Sequence, residues 1–124
     1  MNIARDIIFW LEANSTYVAG TDLFLGMMPN TDTEGIVLAQ AGGFENESNM
    51  VQTTLLINSI YTDYDSAVDN LQAVYNLLSH SGGLVTANYS FFNSVPIKYP
   101  GFVGRTPDGD YLGSCSIQLF FERT

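Results

Sequence analysis

Within one block, residues 51–80, the spacing at which apolar residues recur changes from two residues to about 3.6. The first part of the block, 51–60, predicts a central strand, because successive side chains of a strand point to opposite faces of a sheet. One predicted face carries Val51, Thr53, Leu55 and Ile57, and the other carries Gln52, Thr54, Leu56 and Asn58. A strand that leads directly into a helix is therefore the centre of the predicted fold.

The second part of the block, 62–80, predicts an amphipathic helix. Thr62 and Asp63 offer N-cap oxygens, and Asp65 lies in the first turn, where the helix dipole favours an acid. The segment Ser81-Gly82-Gly83 is typical of a helix end. The predicted buried stripe is Ala67, Val68, Leu71, Val74, Tyr75 and Leu78, and the predicted water-facing residues are Asp65, Asp69, Gln72 and Asn76.

A second helix is predicted over 2–14, with Asn2 as its N-cap. Phe9 points away from the apolar stripe, between Arg5 and Asp6. An aromatic in this place is either an isolated exposed side chain or part of a contact with another subunit, since aromatics are enriched in interface centres. The apolar stripe consists of Ile3, Ala4, Ile7, Ile8 and Leu11, with Trp10 at its edge.

Shorter apolar segments predict the other strands of the sheet. These strands are expected over 23–28, 36–40, 84–92, 95–99 and 114–122. In the closing strand an apolar set, Cys115, Ile117, Leu119 and Phe121, alternates with mostly polar residues. That alternation is typical of an antiparallel sheet with one packed side. The polar segment 44–49 is expected to be a surface loop, and Thr106-Pro107-Asp108-Gly109 fits a type I turn.

The element order is helix, strands, helix, strands. It predicts the α+β class, with a mainly antiparallel sheet and two helices packed on one face of it. A length of 124 residues supports one domain, 1–124.

The charge balance limits the classes of partner. Four Lys and Arg residues stand against 13 Asp and Glu, which gives a net charge of −9. Binding a nucleic-acid backbone requires clustered basic residues, so specific DNA or RNA binding is not expected. Apolar runs are too short to cross a membrane, and the first residues lack the pattern of a secretion signal. The sequence therefore predicts a soluble, acidic chain that is intracellular at synthesis.

Candidate catalytic residues are few. His80, the only histidine, falls at the polar end of a predicted helix, where a partly cationic imidazole complements the dipole. Cys115, the only cysteine, falls on the apolar face of a strand, as a small core residue does. The acids form a helix cap, a solvated helix face and a turn. The sequence therefore predicts no catalytic, cofactor or metal site, and we do not expect an enzyme.

Some apolar residues fall outside the predicted core. Phe9, Leu77 and Phe120 lie off the apolar stripes, and Pro96 with 100–104 predicts a stiff loop that carries an aromatic residue. The side chains predicted on the second face of the sheet are small and uncharged. Apolar groups that stay outward indicate association. The alternative is that the loop folds back and caps the core.

The chain resembles the small tail terminator and minor capsid proteins of long-tailed bacteriophages. The resemblance extends over nearly the whole chain in the same order, and the middle block and the closing hairpin carry most of it. Its five segments are IARDIIFWLEA, FLGMMP, IVLAQAGG, VQTTLLINSIYTDYDSAVDNLQAVYNLL and GFVGRTPDGDYLGSCSIQLFFE.

This resemblance implies a structural virion protein of the tail and neck, located in the host cytoplasm during assembly. Its subunits would form a ring, usually a hexamer, that caps the head-proximal end of the tail tube, stops its growth and docks the head connector. The expected partners are further copies, the tail tube protein and the connector, with genome DNA passing through unbound. By exposure and loop position, the expected subunit contact uses Phe9, Phe102, Val103, Gly104 and Arg105.

Two alternative functions stay open at this point. One is another neck component, such as a head-closure or tail-completion protein, which shares this size and architecture. The other is a monomeric domain of the same layout that binds a small molecule.

Overall fold

The computed structural model describes residues 3–26, 34–45, 50–80 and 89–123 of the chain. Two helices and five strands lie in these ranges. In chain order they are α1 (Ile3–Asn14), β1 (Leu23–Leu25), β2 (Gly35–Glu45), β3 (Met50–Tyr61), α2 (Tyr64–His80), β4 (Tyr89–Arg105) and β5 (Tyr111–Arg123).

The strands form a single sheet in the order β1-β2-β3-β5-β4. β1 pairs with β2 in parallel, and the other three pairs are antiparallel. β3 pairs with β5 from Met50↔Glu122 to Tyr61↔Tyr111, so the predicted central strand is confirmed. The predicted α+β class with a mainly antiparallel sheet is confirmed as well.

Both helices pack on the same face of the sheet. α1 lies over β1 and β2, and α2 lies over β3, β5 and β4. Each fully buried aliphatic side chain contributes roughly 1.5–3 kcal/mol to this packing. The two predicted stripes are buried, except that Val68 is half-buried. The sheet side of the core consists of Leu23, Ile36, Leu38, Leu55, Ile57, Cys115, Ile117, Leu119 and Phe121.

Two polar contacts fix α2 in place. At its start, a carboxylate oxygen of Asp63 accepts the Ser66 N–H at 3.0 Å, which confirms the predicted N-cap. In its second turn, the buried Ser59 hydroxyl of β3 donates to the Ala67 carbonyl at 2.8 Å. The segment 81–83, predicted to end the helix, lies outside the described residues.

The sequence-based boundaries of β2 are wrong. The strand does not end at Gly42-Gly43 but continues to Glu45, because a register shift between Ala41 and Gly43 lets the backbone stay paired with β3. Phe44 and Glu45 therefore belong to a strand and not to the predicted loop, whose remainder, 46–49, lies outside the described residues. Of the predicted strand 23–28, only 23–25 is a strand, and 27–28 lies outside the described residues.

The largest correction concerns β4. Two separate strands and a loop were expected between 84 and 105, yet 89–105 is one strand that includes the segment 100–105. Its proline residues Pro96 and Pro100 are tolerated because β4 is at the sheet edge and shifts register four times against β5. Residues 84–88 lie outside the described ranges.

Candidate association surfaces at the two sheet edges

β4 forms one edge of the sheet. Within the described part of the chain, this strand of 17 residues has β5 as its only neighbour in the sheet. Native proteins usually shorten or cover such an edge, since its free N–H and C=O groups can pair with another chain. A long edge strand is therefore the first place to look for an association surface.

Apolar side chains are concentrated on the exposed part of β4. Of its residues, Tyr99 is 67% exposed and Ile97 is 56% exposed. Scattered exposed apolar residues are ordinary, but a run along one strand marks a contact surface. We define the β4 edge as Val95, Ile97, Lys98, Tyr99, Phe102 and Val103, all of them exposed.

Ring contacts hold this strand against α2. The Phe102 ring lies 5.4 Å from the Tyr64 ring and 6.0 Å from the Tyr111 ring, measured between centroids. The Tyr99 ring lies 5.2 Å from the Tyr75 ring. Such tilted pairs contribute about 0.5–1.5 kcal/mol each beyond their burial. The β4 edge is therefore fixed in position although its outer side is exposed.

Arg105, the last residue of β4, is part of the hairpin that joins β4 to β5. Its guanidinium lies 4.8 Å from the Tyr111 ring centroid and donates from Nε and Nη2 to the Gly109 carbonyl at 3.1 and 2.7 Å. The Gly109 N–H in turn donates to the Thr106 carbonyl at 2.9 Å, which confirms a β-turn over these four residues. Arg105 thus stabilises the hairpin by local contacts.

β1 forms the other edge, and it differs from β4 in being short and covered. Leu23 donates its N–H to the Val18 carbonyl at 3.3 Å, and its own carbonyl accepts the Gly20 N–H at 2.9 Å. A carboxylate oxygen of Asp22 accepts the Val18 N–H at 2.9 Å. The backbone of residues 18–20 therefore closes this edge at Leu23, in a strand of only three residues.

The surface beside β1 combines apolar and acidic side chains. Val18 is 46% exposed and Leu25 is 43% exposed. Glu12 of α1 lies next to them, since its carboxylate accepts the Ala19 N–H at 2.7 Å. We define the β1 edge as Glu12, Val18, Asp22 and Leu25.

The structure does not bring the predicted contact residues together within one subunit. Phe9 is 56% exposed on α1, which packs on the β1 side, whereas 102–105 end the strand at the opposite edge. A contact that uses both must therefore join two different copies.

A sequence model of the family described as bacteriophage tail terminator protein matches residues 10–123. This chain belongs to the bacteriophage tail terminator family. A comparison with curated proteins gives no significant match. The chain is accordingly a structural component of the virion. Neither helix of the described residues is long and apolar enough to span a membrane.

In this tail terminator, the residue types that could carry chemistry were located one by one. Cys115 is 1% exposed in the core, as predicted, and burial raises the pKa of its thiol to about 12. The described residues include no group of three or more His, Cys, Asp or Glu that could hold a metal ion. His80 is the last residue of α2, and its side chain is not among those described.

Two of the outward apolar residues have other surroundings than expected. Leu77 is partly buried and packs against the core, so its assignment to the outer surface is wrong. Phe120 is half-buried on β5.

The exposed residues of the terminator that the sequence analysis did not single out are Ile97, Tyr99, Val18 and Leu25. The alternation of 95, 97 and 99 was a usable signal, but no local pattern shows which strand becomes an edge.

Proposed function

We propose that this chain is the subunit of a ring, a hexamer, that caps the head-proximal end of the tail tube. The ring ends tube growth and offers a docking surface to the head connector, and assembly takes place in the host cytoplasm. The match of the tail terminator family over 10–123 carries this proposal. The partners are further copies of the chain, the tail tube protein and the connector.

The two sheet edges support a ring. Ring closure needs a heterologous contact, in which one surface of a subunit meets a different surface of the next. The β4 edge is long and apolar, whereas the β1 edge is short and acidic, and they lie on opposite sides of the subunit. The proposed contact includes the residues expected from the sequence, Phe9, Phe102, Val103, Gly104 and Arg105.

The net charge of −9 supports passage of DNA without binding. Carboxylates around a channel repel phosphates, and few basic residues are present to hold them. The electrostatic potential along the lumen of an assembled ring tests this part. A negative lumen is expected, and a positive lumen contradicts it.

Electron microscopy of particles made without this chain tests the function. A terminator is needed to stop tube growth, so tails longer than those of the wild type are expected. Complementation with the intact chain should restore the normal length. Tails of normal length that fail to join heads would instead indicate a head-closure or tail-completion protein.

A further inference from the structure

We propose that the β4 edge of one subunit docks on the β1 edge of a second copy of this chain, through side chains and not by strand addition. The inference rests on the proposed function, because it names the two surfaces that a ring would join. It follows from the backbone of β4, the side chains on both edges and the distribution of charge.

The backbone of β4 argues against a continuous strand pair with a neighbour. Pro96 and Pro100 have no N–H to donate, and the register with β5 shifts at four places. Prolines and bulges of this kind protect a natural edge strand from pairing with another chain. A partner of β4 must therefore be held by side chains.

The side chains of β4 offer an apolar surface for such docking. Ile97 and Tyr99 are each more than half exposed, and Val103 is 52% exposed. The ring contacts of Tyr99 and Phe102 with α2 hold the surface in one conformation before any partner arrives. A surface that is already ordered loses less entropy on binding.

Charge complementarity favours the β1 edge as the surface that docks on the β4 edge. β4 is the only one of the seven elements with more basic than acidic residues, having Lys98 and Arg105 and no acid. The β1 edge carries the carboxylates of Glu12 and Asp22 around exposed Val18 and Leu25. Two β4 edges facing each other would instead bring like charges together, which suppresses that pairing.

The positions of the edges decide what the contact builds. Four strand spacings of about 4.8 Å separate β1 from β4, so the two edges lie about 19 Å apart on opposite sides. A contact between them leaves one β4 edge and one β1 edge unused at the ends of each chain of subunits. It therefore continues from copy to copy, and it forms the proposed ring when the rotation between neighbouring copies closes.

A mixing experiment tests the docking directly. Ile97→Asp disrupts the β4 edge and Leu25→Asp disrupts the β1 edge, because an unpaired carboxylate is costly to bury in an apolar contact. The wild-type chain is expected to associate in sedimentation velocity at concentrations up to about 1 mM, the range of a weak contact. Each variant alone should sediment as a monomer.

The two variants mixed in equal amounts should form a dimer and nothing larger. One intact β4 edge and one intact β1 edge are then available to each pair, while the two altered surfaces are both acidic and repel each other. Leu56→Asp, on the open face of β3 and away from both edges, is the matched control and should associate like the wild type. Thermal unfolding checks that each variant is folded, and Val95→Asp and Val18→Asp replace any that is not.

The docking proposal is overturned by three results: a wild-type chain that stays monomeric, a mixture that stays monomeric, or a Leu25→Asp variant that still associates by itself. The last result would indicate a contact between two β4 edges. These results are separate from the test of the proposed function. Overlong tails in the absence of the chain, together with a monomeric mixture, would leave the terminator function standing and remove this contact.

Discussion

The two edges of the sheet solve the same problem in different ways. At β1 the backbone of residues 18–20 satisfies the outer groups of Leu23, so the edge is closed by the chain itself. At β4 the edge is long, and only prolines and register shifts protect it while its apolar side chains stay exposed. The difference indicates that the backbone of β1 is satisfied within the subunit at Leu23, whereas β4 leaves a longer run of apolar side chains exposed.

The largest loss of stability is expected from a substitution at Gly35, which lies beside β1. Gly35 has φ +155°, and a Cβ there would lie 2.6 Å from the Asp22 carbonyl oxygen and 2.8 Å from a Phe24 ring carbon. Gly35→Ala should lower the free energy of unfolding by about 3 kcal/mol, through backbone strain and overpacking. Urea unfolding measures this loss.

The matched control for that change is on the β4 edge strand. A Cβ at Gly104 meets no atom within 4 Å, so Gly104→Ala should change the free energy of unfolding by less than about 0.5 kcal/mol. Equal losses of unfolding free energy for the two variants would show that the backbone is packed equally closely at the two edges.

A smaller effect is expected from the ring contacts that fix β4. Phe102→Ala removes two aromatic contacts and should cost about 1–2 kcal/mol of stability. The neighbouring Val103→Ala should cost less than about 0.5 kcal/mol, since this side chain is mostly exposed. Thermal unfolding of the two variants side by side measures the difference. If the losses are equal, the rings do not anchor the strand.

A charge reversal on β4 is expected to weaken association between copies. Lys98→Glu gives β4 the same sign as the β1 edge, so it should weaken self-association about three- to tenfold, and the loss should shrink at high salt. Sedimentation equilibrium at two salt concentrations measures it. Asn76→Glu, on the exposed side of α2, is the control with a new acid elsewhere. A loss that salt does not change would speak against charge complementarity.

The smallest effect is expected at the start of α2, the helix that supports β4. Hydrogen bonds from Ser66 lower the pKa of Asp63, so this carboxylate stabilises the fold above the ordinary pKa of about 3.9. The contribution is lost as the pH falls through the lowered pKa. Asp63→Ala should therefore flatten the acid side of the stability curve, as thermal unfolding against pH would show.

The sequence predicted those elements whose pattern is local. α1, β3, α2 and β5 have a clear period of two or 3.6, and each lies where expected. β4 was divided wrongly because prolines and glycines usually mark loops, and only its place at the edge makes them compatible with a strand. That place is set by pairing with β5, which no local pattern in 89–105 encodes.

The candidate surfaces were predictable only in part. The exposure of Phe9 could be inferred from its position off the apolar stripe, whereas that of 102–103 was inferred from a loop that is in fact part of β4. The closed β1 edge depends on hydrogen bonds between the backbone of residues 18–20 and Leu23, and the anchoring of Phe102 depends on Tyr64 from a distant helix. These arise from tertiary contacts, so their pattern is absent from the sequence.

Electron cryo-microscopy of an assembled phage particle would show where this chain lies and which of its surfaces are covered. We predict a closed ring of copies where the tail tube meets the head, with the β4 edge of each copy covered by the β1 edge of its neighbour. Copies found singly, or at another position in the particle, would contradict the account.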